Sequence, residues 1–583
     1  MRVSILFSFA FTLPACTGGT PAGKGGGPSP DDYTSTTGPD HCGQITSDEI
    51  WAADLNPHTV SCDVYAEGGT LTIAPGTLIQ VDSDKGVYVS YYGAAAGFET
   101  LGTADFPVVF NGSGADERGT WSGIGIYDAA DDAALSIAGT EIDNAGGYFL
   151  SGALSIDAST VHVNDLVVSK SEEAGVAVMN GGEFADDSEN ITVKDSAIAA
   201  QMVADTVATF PERGANLSDN DDARVRVAGG TVAASCEWDD PGVPYMFDGD
   251  VYVEGNGTDP ATLQIGAGSE LQWGQDRGLY IGYYGQHAGL WVKGTDADPI
   301  LFTSGNADEP GAWSGIGAFD ATDDNNFLLT SVTINDAGGY FLSGGLSISG
   351  ATVTAQSVTI TNSEEAGFYL YDGAAFSDDS SGIAVNRSAW SGTIDASTAS
   401  TYPEAGSNLT GNTTDGISIT GGTIPATTAW GDAGVDYRIT GDLFLEGTAD
   451  ATTVLTLDAG VTLAFGNDRG LYVSYYGGSA GLVAAGTADA PVTFTAAQHA
   501  EAGAWSGIIL DDAASDSDIV LEHVDIGYAG GYGSTGDIAA YGADFTVRHA
   551  TIHDSEEYGI YSEDSTPTLE DVSYAHNASG DRN

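Results

Sequence analysis

The sequence predicts an all-β solenoid in which one unit of 192 residues is used three times, the last copy being cut short. A segment reading KGVYVSYYG from Lys85 returns as RGLYIGYYG from Arg277 and as RGLYVSYYG from Arg469, and 277 − 85 and 469 − 277 both equal 192. Between such segments, short runs rich in Val, Ile, Thr, Tyr and Phe alternate with Gly, Asp, Asn and Ser, without a sustained 3.6-residue period. That texture is typical of strands and turns, and a fixed long period is typical of a solenoid.

Three further landmarks keep the same spacing. They are the tryptophan of a WSG segment, the tyrosine of an AGGY segment and the serine of an SEE segment: Trp121, Trp313 and Trp505; Tyr148, Tyr340 and Tyr532; Ser171, Ser363 and Ser555. Upstream, Trp51 and Trp238 are 238 − 51 = 187 residues apart, so the first copy lacks five residues. The folded region therefore divides into copy 1 (43–229), copy 2 (230–421) and copy 3 (422–583, truncated).

The spacing of the strand-like runs predicts how each copy is coiled. A coil of ~24 residues would divide a copy into roughly eight stacked parallel coils. With ~4.8 Å between neighbouring strands, one copy would advance about 38 Å along the solenoid axis. Stacked coils share a continuous aliphatic interior, so we expect a rigid rod.

The first residues predict export. Arg2 precedes an apolar run from Val3 to Leu13. This run is too short to cross a bilayer and is typical of a signal peptide, which we place at residues 1–15.

The end of that run, Leu13-Pro14-Ala15-Cys16, resembles the bacterial lipobox. The resemblance implies that Cys16 is acylated and attaches the chain to a membrane through lipid, and Thr17 favours the outer membrane and cell surface. The alternative is an ordinary secretory signal with a chance cysteine. Residues 16–42 are rich in Gly, Pro, Ser, Thr and Asp, which predicts a flexible tether.

The composition excludes some partners. With 83 acidic and 16 basic residues the formal charge is −67, so nucleic acid and anionic membrane surfaces would be repelled. The hydrophobic content of 42% is enough to fill a long core, which makes the charge a property of the surface. The carboxylates either form a solvated coat suited to salty surroundings or hold Ca²⁺ in the turns.

Four cysteines do not make a disulfide scaffold. With Cys16 assigned to lipid, Cys42 and Cys62 bracket the start of the folded region and form the natural disulfide pair. Cys236 lies about one copy further along and is expected to be a buried thiol.

Three segments carry a family likeness: LGTADFPVVF from Leu101, KGTDADPILF from Lys293 and AGTADAPVTF from Ala485, each followed by a WSGI segment. They resemble secreted bacterial right-handed parallel β-helix proteins of the pectin-lyase-like superfamily. The resemblance implies that fold from about Gly43 onward. It implies no single function, because that superfamily includes lyases, hydrolases, epimerases and proteins without known activity.

Paired tyrosines between glycines are the candidate glycan-binding residues: Tyr91, Tyr92, Tyr283, Tyr284, Tyr475 and Tyr476. On a strand, adjacent side chains point to opposite faces, so we expect one ring of each pair inside and one outside. Outward tyrosines repeated along a rod would stack on sugar rings. The alternative is that each pair fills the core and braces a turn.

Recurring loop aspartates are the candidate metal ligands: Asp128, Asp132, Asp320, Asp324, Asp512 and Asp516. They suit Ca²⁺, but none reproduces a known calcium-loop motif, and solvated turn residues are the alternative. Polar residues private to copy 3 are His523, His549, His553 and His576, for which a metal or acid-base role stands against a chance surface cluster.

These observations predict a non-enzymatic surface lipoprotein, an acidic rod that binds a polysaccharide, a matrix component or an envelope protein. No catalytic residue is predicted and no cofactor is required, calcium being the one ion that the carboxylates suit. A polysaccharide-active enzyme with one site and a purely structural spacer are the alternatives. Three equivalent sites argue against catalysis and would bind a long polymer through avidity if their spacing matched it.

Overall fold

The computed structural model describes residues 28–114, 116–448 and 451–583, and there the chain is all-β with long parallel sheets. Helical structure in the described part is limited to short 3-10 turns at Pro30–Asp32, Ala53–Leu55, Asp132–Ala134, Val207–Thr209, Ala399–Thr401 and Asp516–Asp518. None of the described helices has the length and apolar character that spanning a membrane requires. The predicted signal peptide and Cys16 lie outside the described residues.

The strands are numbered in chain order. Those of copy 1 are β1 (Asp40–Ile45), β2 (Glu49–Trp51), β3 (His58–Ala66), β4 (Thr70–Ile73), β5 (Leu78–Val81), β6 (Gly86–Val89), β7 (Gly97–Leu101), β8 (Val108–Gly112), β9 (Gly123–Ile126), β10 (Leu135–Asp143), β11 (Gly152–Asp157), β12 (Thr160–Ser169), β13 (Ala174–Met179), β14 (Glu183–Phe184), β15 (Glu189–Lys194), β16 (Ile198–Met202), β17 (Asn216–Asp219) and β18 (Asp222–Val227).

Those of copy 2 are β19 (Gly230–Val232), β20 (Cys236–Trp238), β21 (Tyr245–Phe247), β22 (Val251–Val253), β23 (Ala261–Ile265), β24 (Glu270–Trp273), β25 (Gly278–Ile281), β26 (Ala288–Lys293), β27 (Ile300–Ser304), β28 (Gly315–Ala318), β29 (Thr322–Asn335), β30 (Gly344–Ser349), β31 (Thr352–Thr361), β32 (Ala366–Tyr371), β33 (Ala375–Phe376), β34 (Ser381–Asn386), β35 (Trp390–Ile394) and β36 (Thr414–Ile419).

Those of copy 3 are β37 (Gly422–Ile424), β38 (Thr428–Trp430), β39 (Tyr437–Ile439), β40 (Leu443–Leu445), β41 (Thr453–Leu457), β42 (Thr462–Phe465), β43 (Gly470–Val473), β44 (Ala480–Ala485), β45 (Val492–Ala496), β46 (Gly507–Asp511), β47 (Ile519–Glu522), β48 (Val524–Gly527), β49 (Gly536–Tyr541), β50 (Thr546–His553), β51 (Tyr558–Glu563), β52 (Thr568–Ala575) and β53 (Gly580–Arg582).

A coil contributes up to three strands, and these pair in parallel with strands of neighbouring coils. In the first complete coil of copy 2 these are β20, β21 and β22, which pair with β23, β24 and β25. Burial alternates along each strand: in β23 the side chains of Ala261, Leu263 and Ile265 are buried, while those between them are partly exposed. The inward residues form one continuous aliphatic and aromatic core along the axis.

The number of coils in a complete copy is seven, which corrects the expectation of roughly eight. Seven pairings lead from β22 through β25, β28, β30, β32, β35 and β36 to β39, which shares its coil with β40. Since Leu443 of β40 follows Val251 of β22 by 443 − 251 = 192 residues, a coil averages 192/7, about 27 residues. Long loops such as the one between β27 and β28 account for the excess, and a copy advances about 34 Å.

At each junction between copies, a ladder of third strands continues as a ladder of second strands, so the strands in one column change their place within the coil. The third strand of the copy 1 coils, ending in β16, pairs with β18, and β18 pairs with β21, which is a second strand in copy 2. The same shift joins β35 through β36 to β39 in copy 3. The third strands therefore belong to three different sheets, of 28, 18 and 7 strands, so equivalent surfaces of the three copies point in different directions.

The sulfurs of Cys42 and Cys62 form a disulfide, which joins β1 to the neighbouring strand β3. It closes a loop between the first strands of the described residues. Cys236 is a free, partly buried thiol, and burial raises its pKa to about 11. The thiol is therefore neutral and unreactive at neutral pH.

A buried carboxyl private to copy 3 lies in its last coils. Asp537 in β49 is fully buried; Oδ1 accepts the Ala529 N–H at 2.9 Å, while Oδ2 has no hydrogen-bond partner. Burial raises its pKa well above the ordinary value. The equivalent positions in copies 1 and 2 are Ala153 and Gly345.

Asp537→Ala is expected to stabilise these coils at pH 8 by about 1–3 kcal/mol, because an unsatisfied buried polar group is removed. Because the folded-state pKa is raised, the wild-type carboxyl lowers the stability progressively as pH rises from its unfolded pKa towards the folded value. The gain should therefore shrink towards pH 4. Hydrogen exchange of the β49 amides at both pH values measures it, and an equal gain at the two would contradict this account.

Candidate functional site

The tyrosine pairs lie in turns and not on strands, which corrects the expected inward and outward arrangement. Tyr91 and Tyr92 follow the end of β6, and both rings are exposed, by 40% and 62%. The two rings meet edge to face with centroids 5.1 Å apart. Tyr283 and Tyr284 repeat this arrangement at 5.0 Å in copy 2. Tyr475 and Tyr476 repeat it at 5.1 Å in copy 3.

A glutamate from the preceding coil, buried in copies 1 and 2 and half-buried in copy 3, fixes each turn. Glu67, only 6% exposed, accepts the backbone N–H groups of Tyr92 at 2.7 Å and Ala94 at 3.1 Å. Glu254 and Glu446 hold the equivalent turns of copies 2 and 3 with the same pair of bonds. Hydrogen bonds to an ionised carboxylate are about twice as strong as neutral ones, so the turn is held firmly.

Stacked rings on the outer surface form the floor beside each turn. In copy 1, Tyr65 of β3 and Tyr88 of β6 are register partners on adjacent coils, and their rings stack at 5.3 Å. Tyr252 and Tyr280 do the same at 5.4 Å in copy 2. Tyr88 is only 5% exposed, because neighbouring aromatic rings cover it.

The opposite wall is a tyrosine of the AGGY loop in a strained conformation. Its residues are Tyr148 (φ 64°), Tyr340 (φ 59°) and Tyr532 (φ 51°), with exposures of 84%, 83% and 79%. A left-handed backbone costs a bulky residue about 1–2 kcal/mol, and exposing the ring forfeits burial. Neither fact favours tyrosine for folding, although all three copies have it.

The first tyrosine of the turn, the stacked floor rings and the loop tyrosine line a small cavity in copies 1 and 2, whereas Tyr92 and Tyr284 lie outside it. In copy 1 the cavity of about 110 Å³ lies among Asp63, Tyr65, Asp84, Tyr88, Tyr91, Tyr148 and Phe149. In copy 2 a cavity of about 170 Å³ lies among Asp250, Tyr252, Asp276, Arg277, Tyr280, Tyr283, Tyr340 and Phe341. Sites for whole drug-sized ligands measure roughly 300–1,000 Å³, so each cavity suits one ring or side group of a larger ligand.

Charges at the edge of the cavity are mainly negative. Asp63 and Asp250 accept the N–H groups of Gly86 and Gly278, both at 3.1 Å, so part of each carboxylate is used in holding β6 and β25. Arg277 lies 3.8 Å from Asp250 on the preceding coil. Burial raises the pKa of Tyr280 to about 12, so this phenol stays neutral and can donate a hydrogen bond.

No protein-family model, curated protein or solved structure matches this chain. The resemblance to pectin-lyase-like proteins therefore rests on the quoted segments alone. Comparison of equivalent positions in the three copies shows which features of the pocket recur and which occur in one copy only.

Copy 3 carries an altered pocket. Gly533 stands where copies 1 and 2 have Phe149 and Phe341, which leaves that wall open. Asp511 stands where Tyr127 and Phe319 pack edge-on against the first tyrosine of the turn in the other copies. The first tyrosine of this turn, Tyr475, is accordingly 54% exposed, against 40% for its equivalents.

The sequence contains a signal for this site that the tyrosine pairs do not reveal. DVYAE from Asp63 returns as DVYVE from Asp250 and DLFLE from Asp442, at offsets of 187 and 192. Its aspartate holds a strand, its aromatic residue forms the floor and its glutamate fixes the turn. The five-residue offset between copies 1 and 2 hides the repeat unless the Trp51 and Trp238 spacing is applied.

Of the candidate calcium ligands, the second aspartate of each pair accepts a hydrogen bond from a backbone N–H group. Asp132, Asp324 and Asp516 accept the N–H groups of Thr160, Thr352 and Asp544 on the next coil. Asp128, Asp320 and Asp512 belong to no group of three close metal-ligand side chains among the described residues. Calcium binding by these six residues stays a prediction.

Replacing Glu254 by alanine is expected to destroy the copy 2 pocket without removing any residue that lines it. Two backbone N–H groups, those of Tyr284 and Gln286, would lose their carboxylate acceptor, at a cost of about 1.5–3 kcal/mol for each bond. Faster exchange of the Tyr284 and Gln286 amides would show the loss. The same amides in copies 1 and 3 serve as internal controls, and unchanged exchange in copy 2 would contradict the assigned role.

Proposed function

We propose that this chain is a surface-anchored, non-enzymatic right-handed parallel β-helix of three tandem copies that binds neutral glycans through its tyrosine pockets. The observation that carries the proposal is the strained, exposed tyrosine facing a stacked aromatic floor in each copy. The apolar face of a sugar ring stacks on such rings, while phenol and carboxylate oxygens are placed to bond its hydroxyls.

The charge of the site favours neutral over acidic sugars. The pocket of copy 2 is lined by Asp250 and Asp276 with one arginine, and the whole chain carries a formal charge of −67. A uronate polymer would meet repulsion at each pocket and along the rod. A neutral polymer would not.

Affinity electrophoresis through gels containing a polysaccharide tests this preference. We expect neutral β-glucans or mannans to retard the protein and polygalacturonate or alginate to leave its mobility unchanged. Retardation by the uronates alone would contradict the proposal, and so would retardation by no glycan of either class. A carrier protein of similar net charge controls for electrostatic and sieving effects.

The shift of faces between copies determines how three pockets would engage a polymer. Because the third strands belong to three sheets, the pockets point in different directions around the rod. One straight chain lying along the rod would not reach all of them. We therefore propose that the pockets hold different polymer chains, so that the protein links chains together; this replaces the earlier expectation of avidity along one chain.

A polysaccharide lyase is the second candidate, and the position of Arg277 favours it. This arginine lies 3.8 Å from Asp250 and lines the same cavity as Asp276, which places one base and two carboxylates together. Against it, basic residues recur at Lys85 and Arg469, so three equivalent centres would be needed. Unsaturated products with a new ultraviolet absorbance, formed from a uronate polymer and lost in Arg277→Ala, would favour the lyase.

We propose that lipid on Cys16 anchors the chain at the outer membrane and cell surface, with the part of the predicted tether that precedes β1 as a spacer. The lipobox-like segment supports this anchor. Metabolic labelling with a radioactive fatty acid should mark the wild type, and Cys16→Ser should abolish the label. A labelled serine variant would contradict the assignment, and Cys236→Ser is the matched control.

A further inference from the structure

A column of unusual corner residues runs up one edge of copy 3. His523, His549 and Asp571 lie on three consecutive coils, where β47 and β48, then β50, then β52 turn from one face to the next. All three have left-handed backbones, with φ of 49°, 50° and 51°. This conformation places their side chains one above the other on the outside of the corner.

The side chains of the column are close enough to share an ion. The imidazole rings of His523 and His549 stack with centroids 4.7 Å apart and planes 17° apart. Ligand atoms of Glu522, His523 and His549 all lie within 4.8 Å of one another. Asp571 approaches from the next coil, with its Oδ2 3.4 Å from Nδ1 of His549.

The two histidines also border a groove of about 390 Å³ lined by Asp525, Thr551 and His553. His553 lies 3.3 Å from Asp525 across the groove floor. An ion held at the corner would therefore keep coordination positions open to the groove.

We propose that Glu522, His523 and His549 bind one divalent transition-metal ion of the copper or zinc class. Two imidazoles with a carboxylate suit these ions, whereas Ca²⁺ and Mg²⁺ prefer oxygen ligands alone. Bonds of about 2.0–2.2 Å bring ligand atoms to within roughly 4 Å of each other, so small rotations of surface side chains complete the site. The strongly acidic surface raises the local concentration of cations.

The other copies show that this site is private and dispensable for folding. In copy 2 the positions equivalent to His523 and His549 are Ser331 and Ser357, since 523 − 331 and 549 − 357 both equal 192. Both serines have left-handed backbones too, with φ of 46° and 55°. The corner therefore accepts serine, and histidine adds ligands without serving the fold.

Titration of the untagged protein with Cu²⁺, followed by calorimetry and electron paramagnetic resonance, tests the site. We expect one equivalent to bind with nitrogen hyperfine structure from two imidazoles. His523→Ser and His549→Ser should each lower the affinity for this copper ion by about tenfold or more. The circular dichroism spectrum should not change. Zn²⁺ should compete for the site, and Ca²⁺ and Mg²⁺ should not.

The matched control is His162→Ser in copy 1, which removes a surface histidine paired with Asp187. This variant should bind the copper ion with the affinity of the wild type. The proposal is overturned if both copy 3 serine variants bind Cu²⁺ as the wild type does, if the bound copper shows no histidine nitrogen, or if Ca²⁺ displaces it.

Discussion

Replacing Tyr148, Tyr340 and Tyr532 together by alanine is expected to abolish retardation of the protein in gels containing a neutral glycan. Each change removes the exposed wall of one pocket and leaves the stacked floor in place. Truncating a central aromatic anchor costs about 2 kcal/mol, or roughly 30-fold in affinity at each site. The fold should be unaffected, because the lost rings are about four-fifths exposed and their backbones are strained.

Single variants should show how much each copy contributes to glycan binding. Tyr148→Ala and Tyr340→Ala should each remove one full site, and Tyr532→Ala should matter least, because Gly533 already leaves the copy 3 wall open. Phe106→Ala, which removes a 43% exposed ring outside the pockets, is the control for general surface effects. Undiminished retardation of the triple variant would remove these pockets as the binding sites.

Replacing Trp313 by alanine is expected to lower the free energy of unfolding of copy 2 by about 3–5 kcal/mol. This fully buried ring stacks on Trp273 at 5.3 Å, and Trp273 stacks on Phe247 at 4.3 Å. Its Nε1 also donates to the Asn335 carbonyl at 2.7 Å. The change would leave a large cavity and an unpaired carbonyl beneath β28, which supports the pocket strand β25.

The loss should stay local, because each coil of a solenoid contacts only its neighbours. Hydrogen exchange should accelerate in copy 2 and remain slow in copy 1. Trp121→Ala is the matched comparison: its nearest stacked ring, Phe110, is 6.2 Å away, so its cost should be smaller. Equal costs at the two positions would show that the aromatic stack adds nothing beyond burial.

The tyrosine turns illustrate why part of the site escapes prediction from sequence. The sequence locates Tyr91 and Tyr92 and shows that they recur, but an isolated reading places them on a strand. The turn exists because Glu67, 25 residues earlier, accepts the Tyr92 N–H from the preceding coil. An interaction between coils leaves no mark on the local pattern, so it changes the orientation of both rings without changing the texture of the sequence.

By itself the sequence determined the all-β architecture, the 192-residue spacing and the recurring aromatic and acidic positions, because strand texture and period are properties of neighbouring residues and of fixed offsets. Tertiary structure alone decided the seven coils, the shift of faces between copies, the meeting of Tyr148 with Tyr88 across the pocket and the column of His523 and His549. These depend on how many residues each loop adds to a coil. The number of residues in a coil sets the register between the strands of stacked coils, and this register decides which side chains come into contact.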